Sequence, residues 1–204
     1  MSSLRARTLF ATAVATLGIA AASSGVVATP AGATAVTPVP SLDLQRYTGE
    51  WRQIASLPQW FEALCVSDTV ANYSRNDDGT VRVSNRCVGP AGANIVTRGR
   101  ARVLDPVTNA QLQVTFVPTL SGGWSYPGNR PNYIVIGLGD AYDWAVVGDP
   151  DRTSAFVLSR TSAFSPAQFT TVRAVLQANG FDPCKVRTTR QRGGLQKVVS
   201  LCAV

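Results

Sequence analysis

The stretch "TGEWRQIASLPQWFEALC", residues Thr48–Cys65, combines a Gly-x-Trp motif at Gly49 and Trp51 with a second aromatic group, Trp60 and Phe61, behind a proline. An ordinary edge strand does not need so many large aromatic side chains, because one of its faces is in water. The segment between the two groups has the composition of a β-strand. We therefore expect the two aromatic groups, Trp51 on one side and Trp60 with Phe61 on the other, to lie at opposite ends of this strand.

The chain around this stretch is a series of short predicted β-strands. From Leu42 onward, alternating apolar segments are separated by turn signals such as "NDDG" at Asn76–Gly79. Eight segments follow one another at regular spacing: "WRQIASL", "SDTVANYSR", "TVRVSNRC", "NIVTRGRARVLD", "QLQVTFV", "NYIVIGL", "WAVVG" and "SAFVLSR". This order predicts an all-β fold, either a sandwich or an up-and-down barrel.

One helix is predicted after the strands. Ser165 is a typical N-cap, Pro166 suits the first helical position, and Gln168 completes a capping box. An apolar stripe follows, formed by Phe169, Val172, Val175 and Leu176. Gly180 is a natural stop for this helix. A short final strand, "KVRTTRQ", and an extended tail, residues 192–204, complete the chain.

The first 35 residues have the organisation of a secretory signal peptide. Two arginines precede an uncharged stretch, residues 8–28, and small-x-small signals then end at Ala33 and Ala35. A membrane anchor is the alternative, since the stretch is about 20 residues long, but its Ala, Gly, Ser and Thr content favours cleavage. We expect cleavage after Ala33 or Ala35, a Pro-rich lead-in over residues 36–41, and a secreted protein outside the cell envelope.

The composition removes several classes of function. The chain has no histidine, the commonest general base and metal ligand, and we expect no catalytic residues, no metal and no cofactor. Without Arg5 and Arg7, 17 basic and 12 acidic residues remain, a formal charge of +5.

All four cysteines lie beyond residue 35, and an even number in an exported chain predicts two disulfides, for which three connectivities exist. None stands at a cleavage site, so no lipid anchor is expected.

Three motifs in order resemble the lipocalin family, specifically its bacterial branch related to apolipoprotein D. They are "LDLQRYTGEW" at the first strand, "GLGDAYDWAVVGDP" between the sixth and seventh strands, and "FVLSRTSAFSP" after the eighth. The resemblance covers residues 42–191. It implies an eight-stranded up-and-down antiparallel β-barrel with the helix packed outside. The chain differs from many bacterial members in lacking an N-terminal cysteine for a lipid anchor.

The resemblance also implies how the ends of the barrel are built. In the family the motif Trp and Arg meet at the closed end, with the guanidinium across the indole, which here pairs Trp51 with Arg160. Gly49, Asp140 and Tyr142 belong to the same structural motifs. The open end would carry four aromatic side chains, each of which could instead pack on its own loop: Trp60, Phe61, Trp124 and Tyr126.

The implied topology favours local disulfides. Cys65 precedes the second strand and Cys87 ends the third, so both lie at the open end on neighbouring strands. Cys184 follows the helix and Cys202 lies in the tail. We therefore favour the pairs Cys65–Cys87 and Cys184–Cys202, the second of which would staple the tail to the final strand. Long-range bridges from a terminus to a barrel loop, which other family members use, are the alternative.

Strand alternation in such a barrel assigns residues to the lumen or its entrance. The expected ligand-binding residues are Ala55, Phe61, Val83, Asn85, Gly99, Val114, Phe116, Trp124, Tyr133, Val135 and Phe156. The lumen would be apolar, with Asn85 and Tyr133 among its few polar groups. The register of the sixth strand is open, because "YIVIGL" is apolar on both faces and a slip of one residue inverts it.

The resemblance implies a protein that binds and carries or sequesters a small hydrophobic or amphipathic ligand, such as a fatty acid or a lysophospholipid. We expect an acyl chain to enter tail-first and an anionic head group to lie near Arg86 or Arg130. A lipocalin-fold enzyme acting on a lipophilic substrate and a protein-interaction or inhibitor module are the alternative functions.

The basic charge bears on the choice of partner. The arginines Arg98, Arg100 and Arg102 alternate with inward residues, as on a solvated outer face, and no stacking aromatic residues are interleaved with them. We therefore expect no nucleic acid partner. A transient contact with an anionic lipid surface is kept as an alternative, and the oligomeric state is left open.

Overall fold

The computed structural model describes residues 35–204, so the predicted signal peptide, apart from Ala35, lies outside the described residues. The strands are β1 (Gly49–Ser56), β2 (Ser67–Arg75), β3 (Val81–Val88), β4 (Asn94–Val103), β5 (Gln111–Thr115), β6 (Tyr133–Leu138), β7 (Trp144–Gly148), β8 (Ala155–Ser159) and β9 (Arg187–Thr188). The helices are α1 (Leu44–Tyr47) and α2 (Pro166–Ala178). Short 3-10 turns lie at Trp60–Glu62, Pro90–Gly92 and Leu201–Ala203.

The first eight strands form a closed antiparallel barrel. Each strand pairs with the next along the chain, and β1 also pairs with β8, so that backbone hydrogen bonds run around the full circle. Strand β9 lies outside this circle and pairs with the end of β1. The prediction of an eight-stranded up-and-down barrel with an outer helix and a short final strand is confirmed.

The hairpin of β2 and β3 shows how the sequence sets inside and outside. The "NDDG" segment forms its turn, in which Gly79 has a φ of +79°, a conformation that glycine adopts without steric cost. The register places Tyr73 opposite Val83, and both side chains are buried inside the barrel. Arg82, one position away, is exposed. Apolar and polar residues that alternate along the sequence therefore alternate between the inside and the outside of the barrel wall.

Two hydrophobic clusters share this wall. The inner cluster fills the lower part of the barrel around Trp51. The outer cluster joins the barrel to α2, through the buried side chains Phe169, Val172 and Leu176. Ser165 caps α2 with the predicted capping box, and Gly180 follows its end with a φ of +76°. The helix thus covers an apolar patch that would otherwise be in water.

The two clusters explain why the sixth strand is apolar on both faces. Tyr133 and Val135 belong to the inner cluster, whereas Ile134 and Ile136 belong to the outer one beside α2. The register that the sequence left open is therefore the one that places Tyr133 and Val135 inside. A strand covered on both faces needs apolar side chains at every position.

One predicted orientation in β1 is wrong. Ala55 is expected in the lumen, but it lies in the outer cluster that packs against α2. The cause is a β-bulge in the pairing of β1 with β8, since Gln53 lies opposite Leu158 while Ala55 lies opposite Val157. The extra residue inverts the alternation beyond Gln53. Gln53, which precedes the bulge, lines the cavity, whereas Ala55, which follows it, does not.

The two ends of β1 pair with different strands on the same side. β2 pairs with β1 only over Gly49–Arg52, and beyond that point β9 takes its place. Gln191 fills the gap between the diverging strands, because its amide donates to the carbonyl of Gln53 at 3.0 Å and to that of Thr69 at 2.8 Å. The segment after α2 therefore covers, from outside the circle of eight strands, the part of β1 that β2 leaves.

The closed end of the barrel converges on Arg160. Its guanidinium carbon lies 3.7 Å from the centroid of the Trp51 ring. Its N–H groups donate to the carbonyls of Arg46 and Glu50, both at 2.8 Å, and of Tyr142, at 3.2 Å. Trp51 itself is fully buried. The structure thus contains the Trp–Arg contact that the family resemblance implies.

Other motif residues pack around the Trp51–Arg160 contact at the closed end. Gly49 has a φ of +91° and sits so close that a Cβ would lie 3.4 Å from a guanidinium nitrogen of the motif arginine. The hydroxyl of Tyr142 accepts a hydrogen bond from the backbone N–H of Asp43 at 2.9 Å. Arg46 lies 3.9 Å above the Tyr142 ring and donates to the carbonyl of Asp140 at 2.9 Å. These contacts tie α1 to the turn between β6 and β7.

Both expected disulfides are present. Cys65 pairs with Cys87 and Cys184 pairs with Cys202, with Cα–Cα distances of 5.6 and 4.9 Å. They close loops of 22 and 18 residues, for which the chain-entropy model gives about 3 kcal/mol each. The first holds the segment after β1 to β3, and the second holds the tail close to the end of α2.

The lead-in, residues 36–41, packs along the barrel. Val36 is buried in the outer cluster, and the backbone N–H of Val39 donates to the carbonyl of Val135 at 2.8 Å. Within residues 35–204, neither helix is long and apolar enough to cross a membrane.

Replacement of Trp51 by alanine should lower the free energy of unfolding by about 3–5 kcal/mol, as for other buried aromatic residues. Arg160→Ala should cost less. The double variant should show a coupling energy of about 0.5–2 kcal/mol, because each single change already removes the contact between the two side chains. Urea unfolding of the four proteins measures this cycle. Arg82→Ala, an exposed arginine of β3, is the control and should change stability little. Purely additive effects would contradict the contact.

Candidate ligand-binding site

The barrel interior opens into a cavity of about 350 Å³ at the end opposite the Trp51–Arg160 contact. Its wall comes from the inward faces of six strands, and its rim comes from the segments that follow β1, β5 and β7. Seven of the side chains predicted to meet a ligand line this cavity: Phe61, Val83, Asn85, Val114, Phe116, Tyr133 and Phe156. The alternation of the strands therefore brings most of the expected set together.

Four predicted residues do not line the cavity. Ala55 is outside the barrel because of the bulge in β1. Val135 points inward but is buried in the packed layer below the cavity. Gly99 lies beneath the ring of Phe116, where a Cβ would be only 2.7 Å from that ring. Trp124 is held in the long loop between β5 and β6 by a backbone bridge.

The aromatic residues expected at the mouth have different environments. Phe61 lines the cavity, and the ring of Trp60 lies beside it, edge-on, with the ring centroids 5.8 Å apart. Trp60 is 87% exposed. Tyr126 packs instead under the guanidinium of Arg102, 4.6 Å from the ring centroid. The mouth therefore presents one aromatic pair to an incoming ligand rather than a ring of four.

Three tyrosine hydroxyls meet at the floor of the cavity, where Tyr73 and Tyr133 line its wall and Tyr47 lies below them. The hydroxyl of Tyr133 lies 2.9 Å from that of Tyr47 and 3.1 Å from that of Tyr73. Burial raises the pKa of Tyr73 to about 12 and raises the pKa of Tyr47 and of Tyr133 well above the usual value. All three hydroxyls therefore keep their protons at physiological pH. The carbonyl of Tyr47 accepts the indole N–H of Trp51 at 2.8 Å, which connects the floor to the closed end.

The open half of the cavity carries more polar side chains than the sequence predicts. Seven polar side chains that the sequence analysis missed line it: Gln53, Gln59, Glu62, Asn132, Asp149, Thr153 and Ser154. Gln53 faces inward because the alternation that begins at Trp51 is unbroken up to this residue, and the bulge in β1 comes after it. Glu62 and Asp149 stand in segments that the sequence does place at the mouth, "PQWFEALC" and "DPDRT". The sequence could therefore have indicated both residues as cavity residues, because it predicts that their loops lie at the open end.

Glu62 holds the turn Trp60–Glu62 against β1. Its Oε2 accepts hydrogen bonds from Gln53 Nε2 at 3.2 Å and from Ser56 Oγ at 3.3 Å. Burial raises the pKa of this carboxyl, and the two hydrogen bonds only partly offset the effect. The Glu62 carboxylate therefore sits in a poorly solvated position at the rim of the cavity.

Asp149 has a structural role in the turn between β7 and β8. It accepts hydrogen bonds from the backbone N–H groups of Asp151, at 3.3 Å, and Ser154, at 2.6 Å. The hydroxyls of Thr153, at 2.9 Å, and Ser154, at 3.2 Å, donate to it as well. The turn role that its sequence context predicts is present, and the same carboxylate also contributes negative charge to the cavity wall.

The arginines expected near a ligand head group point elsewhere. Arg86 pairs with Glu50 at 2.6 Å, because the alternation that turns Asn85 inward turns Arg86 outward. Arg130 makes two hydrogen bonds to Asp151, at 2.8 and 2.6 Å. Neither arginine lines the cavity. The expectation that Arg86 meets a head group is therefore wrong, and Arg130 is neutralised by its partner.

The described residues offer few groups for catalysis. All four cysteines are in disulfides. Among residues 35–204 no set of three acidic or cysteine side chains converges in a way that could hold a metal ion. The arrangement at the cavity is suited to holding an elongated molecule, with an apolar wall inside and polar groups at the mouth.

Comparisons with known proteins agree with this geometry. A sequence model of the lipocalin-like domain matches residues 42–191. The outer membrane lipoprotein Blc of Escherichia coli is 33% identical over 191 residues, which are 93% of this chain and 99% of that protein. Apolipoprotein D of Mus musculus is 27% identical over 154 residues, 74% and 78% of the two chains. Insecticyanin of the tobacco hornworm Manduca sexta shares the fold with a TM-score of 0.58, over 79% of this chain and 87% of that one, at 21% identity.

Proposed function

Because this chain belongs to the lipocalin family, we propose that it binds a small amphipathic lipid in the barrel cavity, with the apolar tail inside. The observation that carries the proposal is a cavity of about 350 Å³ that opens opposite a sealed floor. This volume lies within the range of roughly 300–1,000 Å³ that is common for ligand sites.

The tail-first orientation follows from the distribution of polarity. Val83, Val114 and Leu158 form an apolar inner wall. The hydroxyls on the floor hydrogen-bond to one another, so they do not require a polar ligand end. Polar side chains are concentrated at the mouth, where a head group can also reach water. An alkyl tail inside and a head group at the mouth therefore leave the fewest buried polar atoms without partners.

Burial of the tail supplies most of the binding free energy. Each buried methylene contributes about 0.8 kcal/mol, so a chain of about a dozen gives roughly 10 kcal/mol. Loss of translational and rotational freedom takes back several kcal/mol. With head-group contacts added, we expect affinities of about micromolar. Discrimination between tails should be loose, since one methylene carries about 1–3 kcal/mol of discrimination at most.

A binding protein accounts for these residues better than a lipocalin-fold enzyme or an inhibitor module. The chain has no histidine, and its cysteines are in disulfides. Asp149 is engaged by its own turn, and the tyrosines of the floor keep their protons. None of these groups is arranged as a nucleophile with an adjacent base.

We also propose that the open end makes transient contact with an anionic lipid surface. We define the apolar rim as the exposed side chains of the two longest open-end loops: Trp60, Phe61, Leu64, Val66, Phe116, Val117 and Leu120. Arg187 and Arg190 line a groove beside the first of these loops. Apolar side chains that enter the interface, with nearby cations, are the combination that favours binding to negatively charged membranes. Such a contact would bring the mouth of the cavity to its lipid.

Export to the outside of the cell envelope is the third part of the proposal. It is supported by the signal-like start of the chain and by the two disulfides, which need an oxidising compartment. The relative in Escherichia coli is named an outer membrane lipoprotein, which locates that protein at the envelope.

The cavity assignment predicts an effect on tail length. Val114→Trp should shorten the longest alkyl tail that binds, because the ring fills the inner end of the cavity. Titration with saturated fatty alcohols and fatty acids of increasing length, followed by displacement of a fluorescent probe, measures this limit. Val96→Trp, which places the same ring on the outer face of β4, is the control and should leave the limit unchanged. If the Val114 variant is folded and still binds long tails as the wild type does, the assignment is wrong.

The apolar rim predicts vesicle binding. The chain should sediment with vesicles of phosphatidylcholine that contain phosphatidylglycerol, and less with phosphatidylcholine alone. The double change Trp60→Ser and Leu64→Ser should reduce binding severalfold, because both apolar side chains leave the interface. Val107→Ser is the matched control, since Val107 is 86% exposed in the turn at the closed end. Equal loss in the control, or no dependence on the anionic lipid, would contradict the rim.

Export predicts a defined N-terminus. N-terminal sequencing of the protein recovered outside the producing cell should begin at Thr34 or Val36, because the small-x-small signals end at Ala33 and Ala35. Recovery of the chain with Met1 intact in a membrane fraction would contradict the cleavage and support the anchor.

A further inference from the structure

One outer side of the barrel carries a dense group of arginines. It is formed by β2, β3 and β4 together with the first half of β1, which pair with one another in sequence order. Each of these arginines stands next to a buried inward residue of its strand, such as Trp51, Val83 or Ala101, and therefore points outward. We define the arginine face by its six members: Arg52, Arg82, Arg86, Arg98, Arg100 and Arg102.

The carboxylates on this side are too few to neutralise the arginines. Glu50 is shared by Arg52 and Arg86, at 3.1 and 2.6 Å, and Asp78 pairs with Arg100 at 2.6 Å. Six arginines against three carboxylates leave a surplus of three positive charges, out of the surplus of five that the chain has from residue 36 onward. The three carboxylates come from β1 and from the turn between β2 and β3: Glu50, Asp77 and Asp78.

Two members of the arginine face have no partner in the protein. Arg82 and Arg98 are both exposed, and within residues 35–204 neither makes an ion pair or a side-chain hydrogen bond. Arg102 is held by neutral groups, because it donates to Gln113 Oε1 at 3.0 and 2.7 Å and lies 4.6 Å from the ring centroid of Tyr126. Its position is therefore fixed while its charge is not neutralised. Three guanidinium groups are thus available to an anion from outside the chain.

This arrangement costs stability in the free protein. The register places Arg82 of β3 directly opposite Arg100 of β4, and like charges in directly opposite positions destabilise a sheet. Arg98 lies two residues from Arg100 on the same face of β4. Neutral polar residues would solvate this side of the barrel equally well, as Ser84 does opposite Arg98. An anion that lies across β3 and β4 converts the repulsion into attraction.

The side chains between the arginines indicate the kind of anion. The outward neighbours Asn72, Ser74 and Ser84 are short and polar, and they can exchange hydrogen bonds with hydroxyl groups. No aromatic side chain of β2, β3 or β4 points outward, so the bases of a nucleic acid would find no stacking partner there. Val96 is the one exposed large apolar residue of these three strands, which is too little to enter a membrane. Sugar hydroxyls between repeated anionic groups match this surface.

We propose that the arginine face is a docking surface for a linear acidic polysaccharide, a sugar chain that carries repeated carboxylate, sulfate or phosphate groups. Arg82 and Arg98 make the main contacts, since their guanidinium groups have no protein partner, and Arg102 adds a fixed third one. The polymer lies across β3 and β4 on the side wall of the barrel. The mouth of the cavity and the apolar rim stay uncovered, so this docking goes beyond the proposed lipid binding, and either can hold without the other.

The test compares three fluorescently labelled sugar polymers of similar length: dextran sulfate, polygalacturonate and uncharged dextran. Fluorescence anisotropy follows their binding to the exported protein over a series of salt concentrations. Both acidic polymers should bind, and the logarithm of the affinity should fall linearly with the logarithm of the salt concentration as counterions are released. Uncharged dextran should not bind. Failure of both acidic polymers to bind, or equal binding of the uncharged one, would overturn the docking surface.

The double change Arg82→Gln and Arg98→Gln locates the contact. It should weaken binding of dextran sulfate about tenfold at low salt and reduce the salt slope by about two, because two charge contacts are lost. The matched control is Lys185→Gln with Lys197→Gln, which removes the same charge from two exposed lysines of the tail segment. The control should stay within about twofold of the wild type. An equal loss in the two double variants would mean that net charge alone attracts the polymer, and would overturn the arginine face.

Stability separates a binding role of Arg82 from a structural one. Arg82→Gln removes the repulsion from Arg100, so the urea concentration at half-unfolding should stay constant or rise. A clear fall would assign Arg82 to the fold and overturn its part in docking.

Two further comparisons test the choice of partner. Trp60→Ser with Leu64→Ser, the change in the apolar rim, should leave polymer binding intact, and a loss there would move the contact to the mouth and overturn the arginine face. Single-stranded and duplex DNA should bind more weakly than dextran sulfate at the same salt concentration. Tighter binding of either DNA would overturn the assignment to a polysaccharide.

Discussion

The contact of Arg160 with Trp51 is the constraint on which the barrel depends. One guanidinium covers the indole face and donates to carbonyls from α1, from β1 and from the turn after β6, so three distant parts of the chain meet at one charged group: the α1–β1 segment, the turn after β6 and the end of β8. The charge is partly desolvated, and it is tolerated there because its donors have partners and an aromatic ring lies below it. With this end fixed, the opposite end is free to carry loops, and the fold acquires a floor and a mouth.

The distribution of polar groups in the cavity follows from this difference between the closed end and the open end. Close to the seal, the interior is filled by packed side chains and by tyrosine hydroxyls that hydrogen-bond to one another. Toward the mouth the strands diverge and side chains such as Glu62 and Asn132 use their hydrogen bonds to hold loops in place. If the cavity holds a lipid as proposed, the same polar groups that hold the loops in place are the ones that its head group would meet.

Much of the fold could be predicted from the sequence, because alternation, turn residues and a capping box are local signals. The contact of Trp51 with Arg160 needed the family resemblance, since the two residues are far apart in the chain. The inversion at Ala55 could not be predicted, because a bulge leaves no mark in the pattern of β1. The outward position of Arg86 was implied by the inward position of Asn85, so that error was avoidable. The role of Glu62 depends on how a short turn folds back on β1, which no periodicity encodes.

Because β2 leaves β1 after Arg52, the end of β1 would have unpaired backbone groups if no other segment covered it. An unpaired strand edge is a template for association between molecules, and barrels normally avoid the hazard by closing completely. Here closure at the end of β1 is completed by β9 and Gln191, and the Cys184–Cys202 bond anchors the chain just before that segment. The tail disulfide thus helps to keep the end of β1 paired and away from other molecules.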